Sequence, residues 1–124
     1  MQGTTFEFNT RLGLRVIEFN REDIVAFHAS DKYVEVVLRN NKDRPIWTES
    51  LRQLIADERF KADFIPVHRG TLVRLNSIIE VGRAPASSDY FVSLKGGFNF
   101  PVSRRYYSPV KRMWLDSLAL TPAL

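Results

Sequence analysis

Apolar and polar residues alternate with a period of two along most of the chain. Segments 14–19, 24–29, 33–39, 77–83, 90–95 and 98–102 follow this pattern and are rich in β-branched and aromatic residues. They are predicted strands. The breaks between them, "NRED", "ASDK", "NNKD", "APASSD" and "KGG", have turn chemistry. Two segments switch to a helical period. In "TESLRQLIADERF", Leu51, Leu54, Ile55 and Phe60 fall near one face, with Thr48 as the expected N-cap. In "SRRYYSPVKRMWLDSL", Tyr106, Val110, Met113, Trp114 and Leu118 fall near one face. Pro109 inside that second pattern predicts a late start or a kink.

The order is strands, a helix, more strands, then a closing helix. There is no βαβ alternation, which argues against a nucleotide-binding parallel sheet. The expected fold is mainly β and antiparallel, with one or two short helices. No repeat, low-complexity tract or linker interrupts it, and 124 residues suit one domain.

Composition narrows the chemistry. The chain has no cysteine, which removes disulfides, thiolate metal sites and cysteine nucleophiles. "MQGTTFEFNTRLGLR" lacks the basic and apolar regions of a signal peptide. No apolar run approaches the roughly 20 residues of a membrane span. A cytoplasmic protein without a membrane segment is expected, either complete or as one domain of a longer chain. Net charge is +4 and the pI about 9.7, a balance that favours a polyanionic partner.

Enzyme chemistry finds little support. His28 and His68 are the only histidines, far apart in sequence. His28 alternates with strand residues and reads as half-buried. Neither histidine has metal-ligand spacing, no serine sits in a nucleophile elbow, and "KGG" lacks the pattern of a phosphate loop. Neither catalysis nor a cofactor or metal is expected.

The cations are more informative. Lys32 stands at a turn between two strands. Arg69 and Arg74 bracket Gly70 in "HRGTLVR". Arg104 and Arg105 follow Ser103 where the last strand gives way to a helix, and Lys111 and Arg112 continue along it. Each group falls at an element end, where loops can converge and carry function. Arginine there can grip phosphate or read guanine in a major groove. Ser103 is expected to cap the last helix and to meet a phosphate. Lys42, Arg44, Arg52 and Lys61 read as solvating charges.

Three segments in register resemble the LytTR domain family: "EDIVAFHASDKYVEVVL", "FIPVHRGTLVRLNSIIEV" and "FPVSRRYYSPVKRM", with "TESLRQL" similar to the helix between the first two. The match runs from about residue 18 to 118, leaving 1–17 as an N-terminal extension with the first strand and 119–124 as a tail. The resemblance implies an elongated fold of small stacked antiparallel sheets. It implies a bacterial transcriptional regulator that inserts loops into successive major grooves of double-stranded promoter DNA. A receiver or sensor domain is the usual companion in a longer protein. Monomer and homodimer on repeated half-sites both stay open.

Carried over residue by residue, the resemblance makes Lys32, His68 with Arg69, and Arg104 after Ser103 the DNA-reading positions. Arg74, Arg105 and Lys111 join them as candidate DNA contacts. It makes Tyr33, Phe64, Leu72, Val73, Ile78 and Ile79 core positions. The chain departs from the family pattern at Gly70, where serine is usual, at Thr71, and at Arg74, where asparagine is usual. "VHRGTL" then reads as a strand ending in a DNA-facing loop, with Gly70 allowing close backbone approach or a positive φ. Rival readings are a protein-interaction module whose basic loops meet acidic partners, and an RNA-binding β domain. The second would need Phe91 and Phe98 exposed for base stacking, whereas their alternation places them in the core.

Overall fold

Residues 5–10, 13–30, 33–40, 42, 44–47, 49–85 and 89–120 are described by a computed structural model. Three antiparallel sheets form among them. Strands β1 (Thr5–Thr10) and β2 (Gly13–Asn20) make a hairpin. A five-stranded sheet has the order β5-β4-β3-β7-β6, with β3 Ile24–Ser30, β4 Tyr33–Leu38, β5 Ile46–Trp47, β6 Phe64–His68 and β7 Thr71–Arg74. A three-stranded sheet has the order β10-β9-β8, with β8 Ile78–Arg83, β9 Tyr90–Leu94 and β10 Phe98–Val102. Helices α1 (Leu51–Ile55) and α2 (Arg104–Leu120) complete the fold.

The five-stranded sheet is apolar on both faces because each face has a cover. One face presents Val25, Val37, Val67 and Val73 to the three-stranded sheet and to Val110 of α2. The other presents Phe27, Val36 and Leu72 to Leu54 of α1 and to Phe60. Phe27 meets Trp47 and Phe60 edge-on at centroid distances of 5.4 and 5.2 Å. Such edge-to-face pairs each add about 0.5–1.5 kcal/mol beyond the area they bury.

Several expectations needed correction. The first helix starts at Leu51, not after Thr48, which lies outside the described residues. Its cap is Ser50, whose Oγ accepts from the Gln53 amide at 3.2 Å. The Gln53 side chain in turn accepts from the Ser50 amide at 2.8 Å, the reciprocal capping box. Helix α2 runs unbroken from Arg104, so Pro109 does not delay its start. Both Pro109 and Arg105, whose carbonyl loses its i+4 donor, are exposed, so water can take the donor's place. The packed stripe of α2 is Tyr106, Tyr107, Val110 and Trp114. Met113 and Leu118 flank it and are exposed.

Phe64, Leu72, Val73 and Ile78 are in the core as expected, but Tyr33 (49 % exposed) and Ile79 (58 %) are not. Tyr33 opens β4, before the pairing with β5 begins at Val34. Ile79 sits at a register shift in the β8–β9 pairing, and such a bulge re-aims a side chain. Phe98 packs against the core and Phe91 is half-buried. Arg44 is more than a solvating charge: its Nη1 lies 3.5 Å from Oε1 of the buried Glu35. No described helix is long and apolar enough to cross a membrane.

Antiparallel pairing sorts the connections into two opposite ends. One end holds the β6–β7 turn at Arg69–Gly70, the facing ends of β3 and β4, the start of β9 and the end of β10. The other holds the turns at Arg21–Asp23, Leu75–Ser77 and Lys95–Gly97.

Candidate nucleic-acid interface

Two backbone hydrogen bonds assemble the first end from distant parts of the chain. The Ala29 amide donates to the Gly70 carbonyl at 2.8 Å, joining the end of β3 to the β6–β7 turn. The Ser103 amide donates to the Val67 carbonyl at 2.9 Å, joining the end of β10 to the edge of the five-stranded sheet. A cleft of about 330 Å³ opens beside the second, lined by His68, Tyr90, Ser103 and Arg104 together with Asp89.

His68, Ser103 and Arg104 are thus brought together, and Arg69 projects from the adjoining turn, exposed. The Gly70 amide donates to Nδ1 of His68 at 3.2 Å. That bond leaves Nδ1 as the acceptor and puts the ring proton on Nε2, which is then a donor. Arg104 and Arg105 are exposed on the first turn of α2, with Arg105 5.7 Å from the Tyr106 ring centroid. Lys111 lies one turn beyond Tyr107, its Nζ donating to the Tyr107 hydroxyl at 3.3 Å. Lys32 lies outside the described residues.

Three sequence-based assignments change. Arg74 is not beside the loop but at the far end of β7, paired across to Phe64. It is 9 % exposed. Its Nε donates to the Ile24 carbonyl and its Nη2 to the Arg21 carbonyl, both at 2.7 Å. The guanidinium lies 4.6 Å from the Phe64 ring centroid, and burial pulls its pKa below the usual arginine value. It ties the 3-10 turn before β3 to the sheet and is not presented at the cleft.

Ser103 does not cap α2 through its side chain: its Oγ is buried without a hydrogen-bond partner. Gly70 has no positive φ; only Gly96 and Gly97 do among the described glycines. A Cβ at Gly70 would meet its nearest neighbours at ordinary distances, 3.6 Å or more. Serine would fit there.

Behind the cleft, His28 donates or accepts at Nδ1 with Thr71 Oγ1 at 2.9 Å, and its ring lies 5.5 Å from that of Phe100. Burial, and then the Arg44 charge, lower its pKa, partly offset by Glu35. The neutral imidazole is therefore a structural part of the scaffold that carries the turn. Sequence reasoning missed Tyr90, which lines the cleft and stacks on Tyr107 with centroids 3.9 Å apart and planes at 23°. An aromatic beginning a strand after a turn gives no sign of such a distant partner.

Comparison with known proteins agrees with this fold. The solved structure of the LytTr DNA-binding domain of a methyl-accepting/DNA response regulator from Bacillus cereus is similar, with a TM-score of 0.68 at 23 % identity. The match covers 90 % of this chain and 96 % of that one. No curated protein matches the sequence. The family model of the LytTr DNA-binding domain matches residues 14–115. With most of its length matched, the chain belongs to the LytTR family of DNA-binding domains.

Proposed function

We propose that the chain is the output domain of a bacterial, cytoplasmic transcriptional regulator, and that it reads promoter DNA through the end built around the His68–Arg104 cleft. The observation that carries this reading is the convergence of His68, from the five-stranded sheet, and of Ser103 and Arg104, from the β10–α2 junction, on one cleft. Arg69 stands beside it on an exposed turn. Arg104 offers a planar fork suited to guanine O6 and N7. His68 offers a ring donor. Arg105 and Lys111, further along α2, meet phosphates, which position the duplex without reading sequence. Lys32, between β3 and β4 in the sequence, is assigned a base contact by family likeness.

Along this end the facing ends of β3 and β4, the β6–β7 turn and the start of α2 follow one another. That order suits entry of loops into successive major grooves, which recur on one face after about 10–10.5 base pairs. Two domains would occupy repeated half-sites. A receiver or sensor domain would supply the input.

The test begins with selection of bound duplexes from a random pool, expected to yield a defined sequence. Inserting about five base pairs between the two contacted segments then places them on opposite faces of the duplex. Affinity is expected to collapse. Retained affinity would show that a single groove carries recognition, and an unselective pool would remove the reading altogether.

A further inference from the structure

We infer that Arg83 contacts a DNA phosphate, and that the Tyr90–Tyr107 stack is the positioning element that holds it and the start of α2 against the duplex. The inference rests on the DNA-reading role of the cleft and extends that surface onto β8, which neither the sequence pattern nor the family likeness assigned.

Arg83 is the last residue of β8 and pairs directly across from Tyr90. Directly paired residues of neighbouring strands project to the same face. The Arg83 guanidinium lies 6.0 Å from the Tyr90 ring centroid, and Tyr90 stacks on Tyr107. Tyr107 is in the first turn of α2, three residues after Arg104, and Lys111 Nζ lies 5.6 Å from its ring centroid. The order Arg83, Tyr90, Tyr107, Lys111 thus joins the three-stranded sheet to α2 beside the cleft.

Neither outer cation meets a carboxylate among the described residues. In contrast, Arg39, Arg59, Lys61 and Arg74 each lie within ion-pair distance of one. Arg83, exposed beside a ring and without a carboxylate, keeps its donors for an external anion. A guanidinium's planar fork fits phosphate in bidentate fashion. The stack serves a second purpose. Arg104 is placed by the first turn of α2, and that turn is fixed to β9 by ring contact as well as to β6 by the Ser103 amide.

The experiment measures binding of selected and scrambled duplexes across a salt series. The proteins are the wild type, Arg83→Ala, Arg83→Lys, Tyr107→Leu, Tyr107→Phe and Lys95→Ala, the last an exposed cation at the opposite end. Arg83→Ala should lower the slope of log affinity against log salt by about 0.9, the value of one phosphate contact on duplex DNA. Base preference should not change. Arg83→Lys should keep the slope, and Lys95→Ala should leave slope and affinity at wild-type values.

Tyr107→Leu keeps apolar volume and should lose both the Arg83 slope and part of the base preference. Tyr107→Phe should restore both. A wild-type slope for Arg83→Ala, or an equal loss for Lys95→Ala, overturns the phosphate contact. Wild-type slope and preference in a folded Tyr107→Leu overturns the role of the stack. If Tyr107→Leu does not fold, the exposed Arg83 variants still decide the contact. A wild-type protein without duplex preference would instead overturn the parent reading, so the two failures are distinct.

Discussion

The two ends of the sheets use the same residue types in opposite ways. At the end away from the cleft, Arg39 and Arg74 have their donors engaged. Arg39 Nε donates to Asp23 at 3.0 Å, and Arg74 gives two donors to backbone carbonyls. At the cleft end, Arg69, Arg83, Arg104 and Arg105 are exposed and meet no carboxylate among the described residues. The glycines divide likewise. Gly96 has φ +94° and a Cβ there would lie 2.9 Å from the Arg39 carbonyl, whereas a Cβ at Gly70 would make only ordinary contacts at 3.6 Å or more. One end is tightly specified by its own contacts. The other is supported from behind and left unsatisfied in front. An arginine's role follows from whether its donors are already engaged, not from its position in a motif.

The sharpest way to break this comparison is to remove one arginine from each end. Arg74→Ala strips two carbonyls of their donors and uncovers Phe64. It should cost roughly 3 kcal/mol of stability, as expected when hydrogen bonds to a buried charge are lost. Chemical denaturation checks this, and the folded fraction should retain the wild-type base preference. Arg104→Ala should do the reverse. Stability stays within about 0.5 kcal/mol, while binding weakens by about 1–3 kcal/mol and preference relaxes at one base step. Competition binding against single-base variants of the selected site measures it. Equal stability losses in the two variants would erase the distinction between the ends.

The glycines give a finer contrast. Gly96→Ala should lose about 1–3 kcal/mol, because a side chain is forced into left-handed backbone against a carbonyl. Gly70→Ser should change stability by less than about 0.5 kcal/mol and supply the hydroxyl more usual in the family. Thermal unfolding of the pair distinguishes them.

The smallest effect is a pH dependence. The folded-state pKa of His28 lies below its unfolded value of 6.5, through burial first and then the Arg44 charge. Its contribution is fully present above pH 6.5 and is lost as pH falls through the folded pKa. The urea midpoint should therefore decline on acidification below pH 6.5. His28→Gln should flatten that part of the profile. An identical decline in the variant would assign it to another group.

The period-two pattern located the longer strands well, because half-buried strands write their two faces directly into sequence. It could not show β5, which has two residues, or separate β7 from β6 within "FIPVHRGTLVR". The capping box of α1 was legible as Ser50 with Gln53 three residues on, but Thr48 was the more conspicuous cap. Arg74 was misread because nothing local to it announces the carbonyls of Arg21 and Ile24, which reach it through the β3–β7 pairing. The convergence of His68 with Arg104 was legible only through family likeness. Its physical cause, the bond from the Ser103 amide to Val67, joins segments that local pattern cannot connect.

That same bond makes the proposed reading surface a property of the finished chain. The β6–β7 turn is synthesised well before Ser103, yet the cleft has no second wall until β10 and α2 have been added and docked. A chain clipped between the two would still carry His68 and Arg69, and with them a basic turn able to attract any duplex. It would lack the Arg104 fork and the lock that orients it. On the proposed reading, selective recognition arrives last, together with completion of the fold, and an incomplete molecule is expected to lose its discrimination before its attraction for DNA.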